Sequence, residues 1–285
     1  MSRRISRRGT PAYGQHFLHD GNLLRTIVDA AELDSGSHVL EIGVGTGNLT
    51  RIILETGAQV VGVEVDRSLE SRIEDQFGTN PSFRLVRGDI LRIPWSDLLP
   101  REDKAVVMGN LPYAVSSQVL FKVLQWRERV ARVVFLVQWE VGARLAADRG
   151  GKDYGILSVA CQLYGKPTIL RKIPPGVFTP PPRVDSALVR WDVRSSPITP
   201  VDDRDFTMEV IRAAFAQRRK KLVNSLAARL KDWDKDALQK VCGVLGIPEN
   251  TRAEQLSVEQ FAQLANSLFR HTKGEKRVKN EEARG

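Results

Sequence analysis

The stretch His38-Val39-Leu40-Glu41-Ile42-Gly43-Val44-Gly45-Thr46-Gly47 decides how the rest of the chain is read. An apolar run ends in glycines spaced G-x-G-x-G and passes directly into a helical pattern. Glycines at such a strand end let the backbone approach a nucleotide-like ligand at the carboxyl edge of a sheet, where open α/β folds bind their ligands. Working outward from His38–Gly43, further apolar, β-rich runs fall at Gln59–Val65, Phe83–Asp89, Ala105–Gly109, Arg132–Gln138, Pro167–Ile173 and Asp185–Val193. Helical spacings lie between them: Leu69, Ile73 and Phe77 behind a capping Asp66, then Val115, Val119 and Val123. Asp20 ahead of Leu23, Leu24, Ile27, Val28 and Ala31 has the pattern of a capped amphipathic helix. Near-continuous apolar strands alternating with helices predict an α/β domain, a seven-stranded, mostly parallel sheet with helices on both faces.

The pattern changes after Ser195-Ser196-Pro197-Ile198-Thr199-Pro200, where β-type runs stop. Helical spacings follow at Phe206, Val210 and Ala214, at Leu222, Leu226 and Leu230, at Leu238, Val241, Cys242 and Leu245, and at Phe261, Leu264 and Leu268. Ser257 and Gln260 have capping-box spacing before the last of these. The expected organisation is a basic arm over 1–13, an α/β domain over 14–196, a small all-helical domain over 197–270 and a disordered charged tail over 271–285.

With 285 residues, 42% hydrophobic and 27% charged, the chain is long enough for about two domains with cores of their own. No apolar run approaches the ~20 residues of a membrane helix. Cys161 and Cys242, far apart and each in an apolar helical pattern, predict buried thiols in a reducing compartment, with neither a disulfide framework nor a Cys-rich metal site. The first eight residues lack the apolar core of a secretory signal; their Arg- and Ser-rich composition leaves a mitochondrial transit peptide as an alternative, but they are short for one, and the cytoplasm is expected. The net charge of +9 is localised: residues 1–10 carry four Arg and no acid, and residues 212–231 carry seven Lys or Arg and no acid, which leaves the remainder near neutral. Two basic elements on a balanced surface predict a polyanionic partner.

A dinucleotide fold would need glycine at position 48, which is Asn48. The spacing, with Glu41 two residues before Gly43, resembles instead the first motif of class I S-adenosylmethionine-dependent methyltransferases. Glu64, at the end of the second strand, is placed to accept from both hydroxyls of a ribose. Asp89, at the end of the third, is placed to accept from an adenine amino group. The fourth strand ends in Asn110-Leu111-Pro112-Tyr113, the tetrapeptide type of methyltransferases that act on exocyclic amino groups of bases. Such an amine is a poor nucleophile because its lone pair is conjugated into the ring. The Asn110 side-chain oxygen and the Leu111 carbonyl can each accept one N–H, Pro112 restricts the backbone so that both converge, and Tyr113 offers a ring for stacking. The proline-rich loop Ile173–Ser186 is expected to be extended, without helical or ladder bonds, and to present Phe178 towards the base opposite Tyr113.

Together with Gly14-Gln15-His16-Phe17-Leu18, Phe215–Leu222 and Arg252–Ser257, these motifs resemble in order the small-subunit rRNA adenine dimethyltransferase family. The resemblance implies transfer of methyl groups from S-adenosylmethionine to two adjacent adenosines in the 3′-terminal hairpin of 16S rRNA. S-adenosylhomocysteine would be the product, no metal is needed, and the partner is a pre-30S particle. It implies cofactor contacts from His16, Leu18, Gly43, Glu64, Asp89 and Asn110, with Gln15, Gly45, Gly47 and Ile90 beside them. The family most often has Asn where this chain has His16. Arg218, Arg219, Lys220 and Lys221 are the expected RNA contacts, on a basic helix, and a monomer is the default expectation. Two alternatives are a related large-subunit rRNA adenine methyltransferase conferring antibiotic resistance and a transcription factor descended from the family.

Overall fold

The computed structural model describes residues 15–282, with side chains to Thr272. The expected basic arm therefore lies outside the described residues. The described residues divide into two compact units, residues 15–143 with 166–195, and residues 144–165 with 196–282.

The first unit opens with a two-residue strand β1 (Phe17–Leu18) and helix α1 (Gly21–Ala31). Asp20 caps α1 by accepting from the Leu23 amide at 2.9 Å, and Leu23, Leu24, Ile27, Val28 and Ala31 are its buried face. Strand β2 (His38–Ile42), α2 (Asn48–Glu55), β3 (Gln59–Glu64), α3 (Glu70–Phe77), β4 (Phe83–Arg87), β5 (Ala105–Asn110), α4 (Ser116–Gln125) and β6 (Val130–Gln138) follow. After α5 (Trp139–Ala146) and α6 (Ile156–Gln162) come β7 (Thr168–Ile173), the two-residue β8 (Phe178–Thr179) and β9 (Ser186–Asp192). The main sheet has seven strands in the order β4-β3-β2-β5-β6-β9-β7. Pairings from β4 to β6 are parallel, while β9 runs antiparallel to both β6 and β7. Each of the seven expected apolar runs is a strand.

Strand order reverses between β2 and β5, so the loops leaving those two strands diverge and open a crevice at their carboxyl ends. On one face, Val39, Val106, Met108, Val134, Leu136 and Leu188 pack with Leu23, Ile27, Leu49, Ile52 and Ile53 of α1 and α2. Val107, between Val106 and Met108, is fully buried on the opposite face, as period-two alternation requires. Arg132 and Arg190 pin the end of α1 to the sheet through Glu32 and Asp192.

The second unit is helical: α6, then α7 (Arg204–Phe215), α8 (Leu222–Ala227), α9 (Lys235–Val244) and α10 (Val258–Glu282). Asp203 and Asp234 cap α7 and α9, and Ser257 and Gln260 form the expected reciprocal cap before α10. Tyr154, Val210, Leu226, Phe261, Leu264 and Leu268 are among the residues of its core. Cys161 and Cys242 are buried free thiols, and burial pushes the Cys242 thiol up to about 11.

Three expectations are corrected. Residues 144–165 were expected in the α/β domain, but Tyr154, Ile156 and Val159 bury their apolar groups in the helical unit's core. The expected disordered tail begins as helix: α10 continues through Glu282, since Lys, Glu and Arg are good helix formers and a packed helix propagates without a new nucleus. The expected basic helix is also wrong in form. Arg218, Arg219, Lys220 and Lys221 occupy the turn between α7 and α8.

Candidate active site

Gly43 and Gly45 adopt φ of +80° and +59°, which β-carbon-bearing residues rarely tolerate. A Cβ on Gly45 would also press to 3.3 Å of the Phe17 ring. At Gly43 the nearest neighbour of such a Cβ would be the Asn110 carbonyl at 3.9 Å, so its bareness keeps space open between the ends of β2 and β5. Gly47 leads into α2.

Glu64 ends β3 and is 4% exposed. Its carboxylate accepts from the amides of Gly45 at 2.8 Å and of Val65 and Asp66 at 2.9 Å, with Gln15 Nε2 at 3.5 Å. Burial raises its pKa, and the three amides oppose that rise. Glu64 thereby fixes the glycine loop in addition to any ligand contact. Glu41 is fully buried beneath the loop, with Thr50 Oγ1 donating to its Oε2 at 2.6 Å and no partner on Oε1. Burial, with a smaller contribution from the Glu64 charge, pushes Glu41 up to about 8.

Asp89 follows β4 and Gly88. Its Oδ1 accepts from the Leu91 amide at 2.9 Å and its carbonyl from Arg92 and Ile93, which folds the segment into a tight loop that carries the buried Ile90. The segment is also held from α4. Lys122 Nζ donates to the carbonyls of Ile90, Leu91 and Ile93 at 2.8, 2.8 and 2.9 Å. Burial lowers the Lys122 pKa, and the Asp89 charge opposes this.

Asn110 ends β5. Its Nδ2 donates to the His16 carbonyl at 2.6 Å, which leaves Oδ1 as the atom of that amide to accept from a substrate. Leu111 is buried and its amide donates to Leu136, while the Pro112 carbonyl accepts from Val115 and starts the turn into α4. The Tyr113 hydroxyl meets Ser186 Oγ at 3.1 Å, and burial raises its pKa.

The proline-rich loop is not free of ladder bonds. Strand β8 pairs antiparallel with β1, Leu18 opposite Phe178, so Phe178 turns inward, 3% exposed, against the core around Leu18 and Ile173. The ring beside Tyr113 is instead His16, centroids 5.4 Å apart, and its Nδ1–H donates to the Pro180 carbonyl at 2.7 Å. The Leu18 carbonyl accepts from Asn48 Nδ2 at 2.8 Å. Thus Gln15, His16, Leu18, Gly43, Gly45, Gly47, Glu64, Asp89, Ile90 and Asn110 gather along the carboxyl edge of β2–β5, whereas the Phe178 ring is buried in the core beside Leu18. Ser186, Lys122 and Asn48 are contacts that motif reading missed, since each acts through a partner remote in the chain.

Buried acceptors, a bare glycine floor and aligned strand ends fit an S-adenosyl cofactor, with Glu64 for the ribose and Asp89 for the adenine. The model of the ribosomal RNA adenine dimethylase family matches residues 7–269. The chain belongs to this family. Two relatives carry the name ribosomal RNA small subunit methyltransferase A: that of Moorella thermoacetica is 38% identical over 90% of this chain and 91% of its own, and that of Bacillus mycoides is 39% identical over 90% of each. A dimethyladenosine transferase from Plasmodium falciparum, solved by crystallography, superposes with a TM-score of 0.75 at 26% identity over 87% of this chain and 96% of that one. The 23S rRNA methyltransferase ErmE shares the fold, with a TM-score of 0.68 at 22% identity over 88% and 99%. As a family member the chain is an S-adenosylmethionine-dependent rRNA adenine methyltransferase, and the small-subunit relatives favour that reading over the large-subunit one.

Proposed function

We propose that this chain dimethylates the two adjacent adenosines of the 3′-terminal hairpin of 16S rRNA, acting as a cytoplasmic monomer on a pre-30S particle. The observation that carries the chemistry is the orientation of the Asn110 amide. With Nδ2 held by the His16 carbonyl, Oδ1 is fixed as an acceptor at the switch point of the sheet, beside the bare floor at Gly43.

The cofactor supplies an electrophilic methyl on a sulfonium. The protein's part is to make the amine nucleophilic. Asn110 Oδ1 and the Leu111 carbonyl each take one amino N–H, which withdraws the nitrogen lone pair from the ring and aims it. Tyr113, held by Ser186, supplies a stacking face. Methyl transfer from the bound donor to this nitrogen would leave a cationic amine acidic enough to give its proton to water. No strong base is required, so catalysis rests on positioning and electrostatics. Glu64 would hold the cofactor's ribose and Asp89 its adenine. Arg218 to Lys221 supply phosphate contacts, whose affinity is salt-dependent. A target adenosine must leave its stack to enter such a pocket.

Unmodified small and large ribosomal subunits, incubated separately with protein and methyl donor and analysed by mass for modified adenines, test the proposal. Dimethyladenosine in the small subunit alone is expected. Modification of the large subunit alone would overturn the target, and binding without transfer would overturn the catalytic reading.

A further inference from the structure

Trp139 is 37% exposed although it closely follows the stretch Val133–Val137 of β6, which is fully buried. It stands at the carboxyl rim of the sheet, the edge that carries Asn110. Gln138, its predecessor, is in register with Ser186, and Ser186 Oγ touches the Tyr113 hydroxyl at 3.1 Å. The indole is therefore one residue along the strand from the wall of the base pocket. Its amide donates to the Asp185 carbonyl at 2.9 Å, which fixes the backbone there.

A cation is built onto the ring. Lys172 Nζ, from the end of β7, lies 5.2 Å from the Trp139 ring centroid and 2.8 Å from Asp185 Oδ2, with 57% of the lysine side chain exposed. Val184, 44% exposed, and the exposed Arg183 precede Asp185 on the same loop. Asp185 is already paired with Lys172, and Glu140 follows Trp139 in the first turn of α5. None of these residues belongs to the cofactor crevice, and none of the mechanism above uses them. An exposed indole beside a solvent-facing ammonium matches the two needs of an unpaired nucleotide, a flat stacking face and a phosphate counter-charge. A protein partner would need a contiguous apolar patch, whereas the large apolar groups exposed here are single side chains among charges.

We propose that Trp139 and Lys172 form a stacking platform for an unpaired RNA nucleotide flanking the target adenosine. The base lies on the indole and Lys172 turns from Asp185 to its phosphate. The platform rests on the rRNA-methylating reading and gives that site a specificity element for the single-stranded neighbour of the methylated base. It holds the strand at a fixed step from Tyr113 once the adenosine has left the stack.

Full-length Trp139→Ala, Trp139→Phe and Lys172→Gln proteins, assayed on unmodified small-subunit particles, test it. Trp139→Ala should raise KM for the particle about tenfold, the scale of one base–aromatic stack. kcat and affinity for S-adenosylhomocysteine should stay within about twofold. Trp139→Phe should recover most of the loss, and Lys172→Gln should raise KM about threefold with a shallower salt dependence. Should Trp139→Ala fold poorly, the other two variants still decide. The same protein then takes a hairpin RNA carrying 2-aminopurine beside the target, whose quenching should fall in Lys172→Gln. An unchanged particle KM in these variants, with the unsubstituted protein active, overturns the platform alone, as does a lowered melting temperature with unchanged KM. An unsubstituted protein that leaves the particle unmethylated overturns the rRNA reading and the platform with it.

Discussion

Around Asn110 the polar side chains are held by hydrogen bonds to backbone atoms, whereas the turn between α7 and α8 holds most of its charges in solvent. The amide of Asn110, the carboxylate of Glu64 and the ammonium of Lys122 are each fixed by one to three bonds to backbone atoms. In the turn, Arg218 is tied to the carbonyls of Lys152 and Tyr154, and Lys221 pairs with Glu249 at 3.0 Å. Arg219 and Lys220 are exposed, with no ionic partner among the described residues. The difference teaches that the two regions should fail differently. A preorganised site loses function steeply and through single atoms, while a solvated basic surface loses affinity gradually, additively and with salt.

The sharpest way to break the comparison is Asn110→Ala. With the acceptor gone, single-turnover methyl transfer should fall by about 10²–10³-fold, the scale of removing one preorganised polar contact to a transition state. Affinity for S-adenosylhomocysteine, read by calorimetry, should be largely kept. Full activity in this variant would end the mechanism. Next comes Glu64→Gln, which leaves an amide N–H of Gly45, Val65 or Asp66 without an acceptor. Replacing one of the two oxygens proposed to meet the ribose also removes a hydrogen bond to a charged group, about 1.5–3 kcal/mol, or about 10- to 150-fold weaker cofactor binding.

Arg219→Glu with Lys220→Glu probes the other side of the comparison. The particle KM should rise several-fold, and the logarithmic salt slope should fall by roughly one to two, while cofactor affinity holds. A steep loss of kcat there would erase the distinction between the regions. On activity the smallest expected effect is that of Glu41→Gln, which is read instead in the pH dependence of stability. Glu41 keeps its proton to about 8 when folded, against 4.5 for an ordinary glutamate. Its contribution is therefore fully present below 4.5 and is lost as pH rises through about 8. The melting temperature of the parent should fall relative to Glu41→Gln from about pH 5 to about pH 9, and parallel curves would show that Glu41 is ionised in the fold.

The strands were legible because a sheet covered on both faces needs runs as apolar as Val39–Ile42 or Val133–Val137, bounded by residues that end strands. The caps at Asp20 and Ser257 were legible for the same local reason. What escaped depends on partners remote in sequence. Periodicity shows that Val159 and Cys161 are buried but not in which core, so residues 144–165 were placed with the wrong unit. Phe178 in a proline-rich loop looks presented until β1 pairs with β8 and rotates it inward. Glu64 was read as a ligand acceptor, and its part in holding Gly45, Val65 and Asp66 needed the fold. Lys122 gave no signal, since a lysine on an amphipathic helix ordinarily faces water.

The segment Gln15–Leu18 takes part in no strand of the seven-stranded sheet, yet it meets Glu64, Asn110, Pro180, Gly45 and Asn48 in four successive residues. A chain that begins after Leu18 retains all seven strands, while the ends of β3 and β5, the glycine loop and the proline-rich loop lose a common fastener together. Damage to this short strap would release those site elements together and also open the core contact between Leu18 and Phe178.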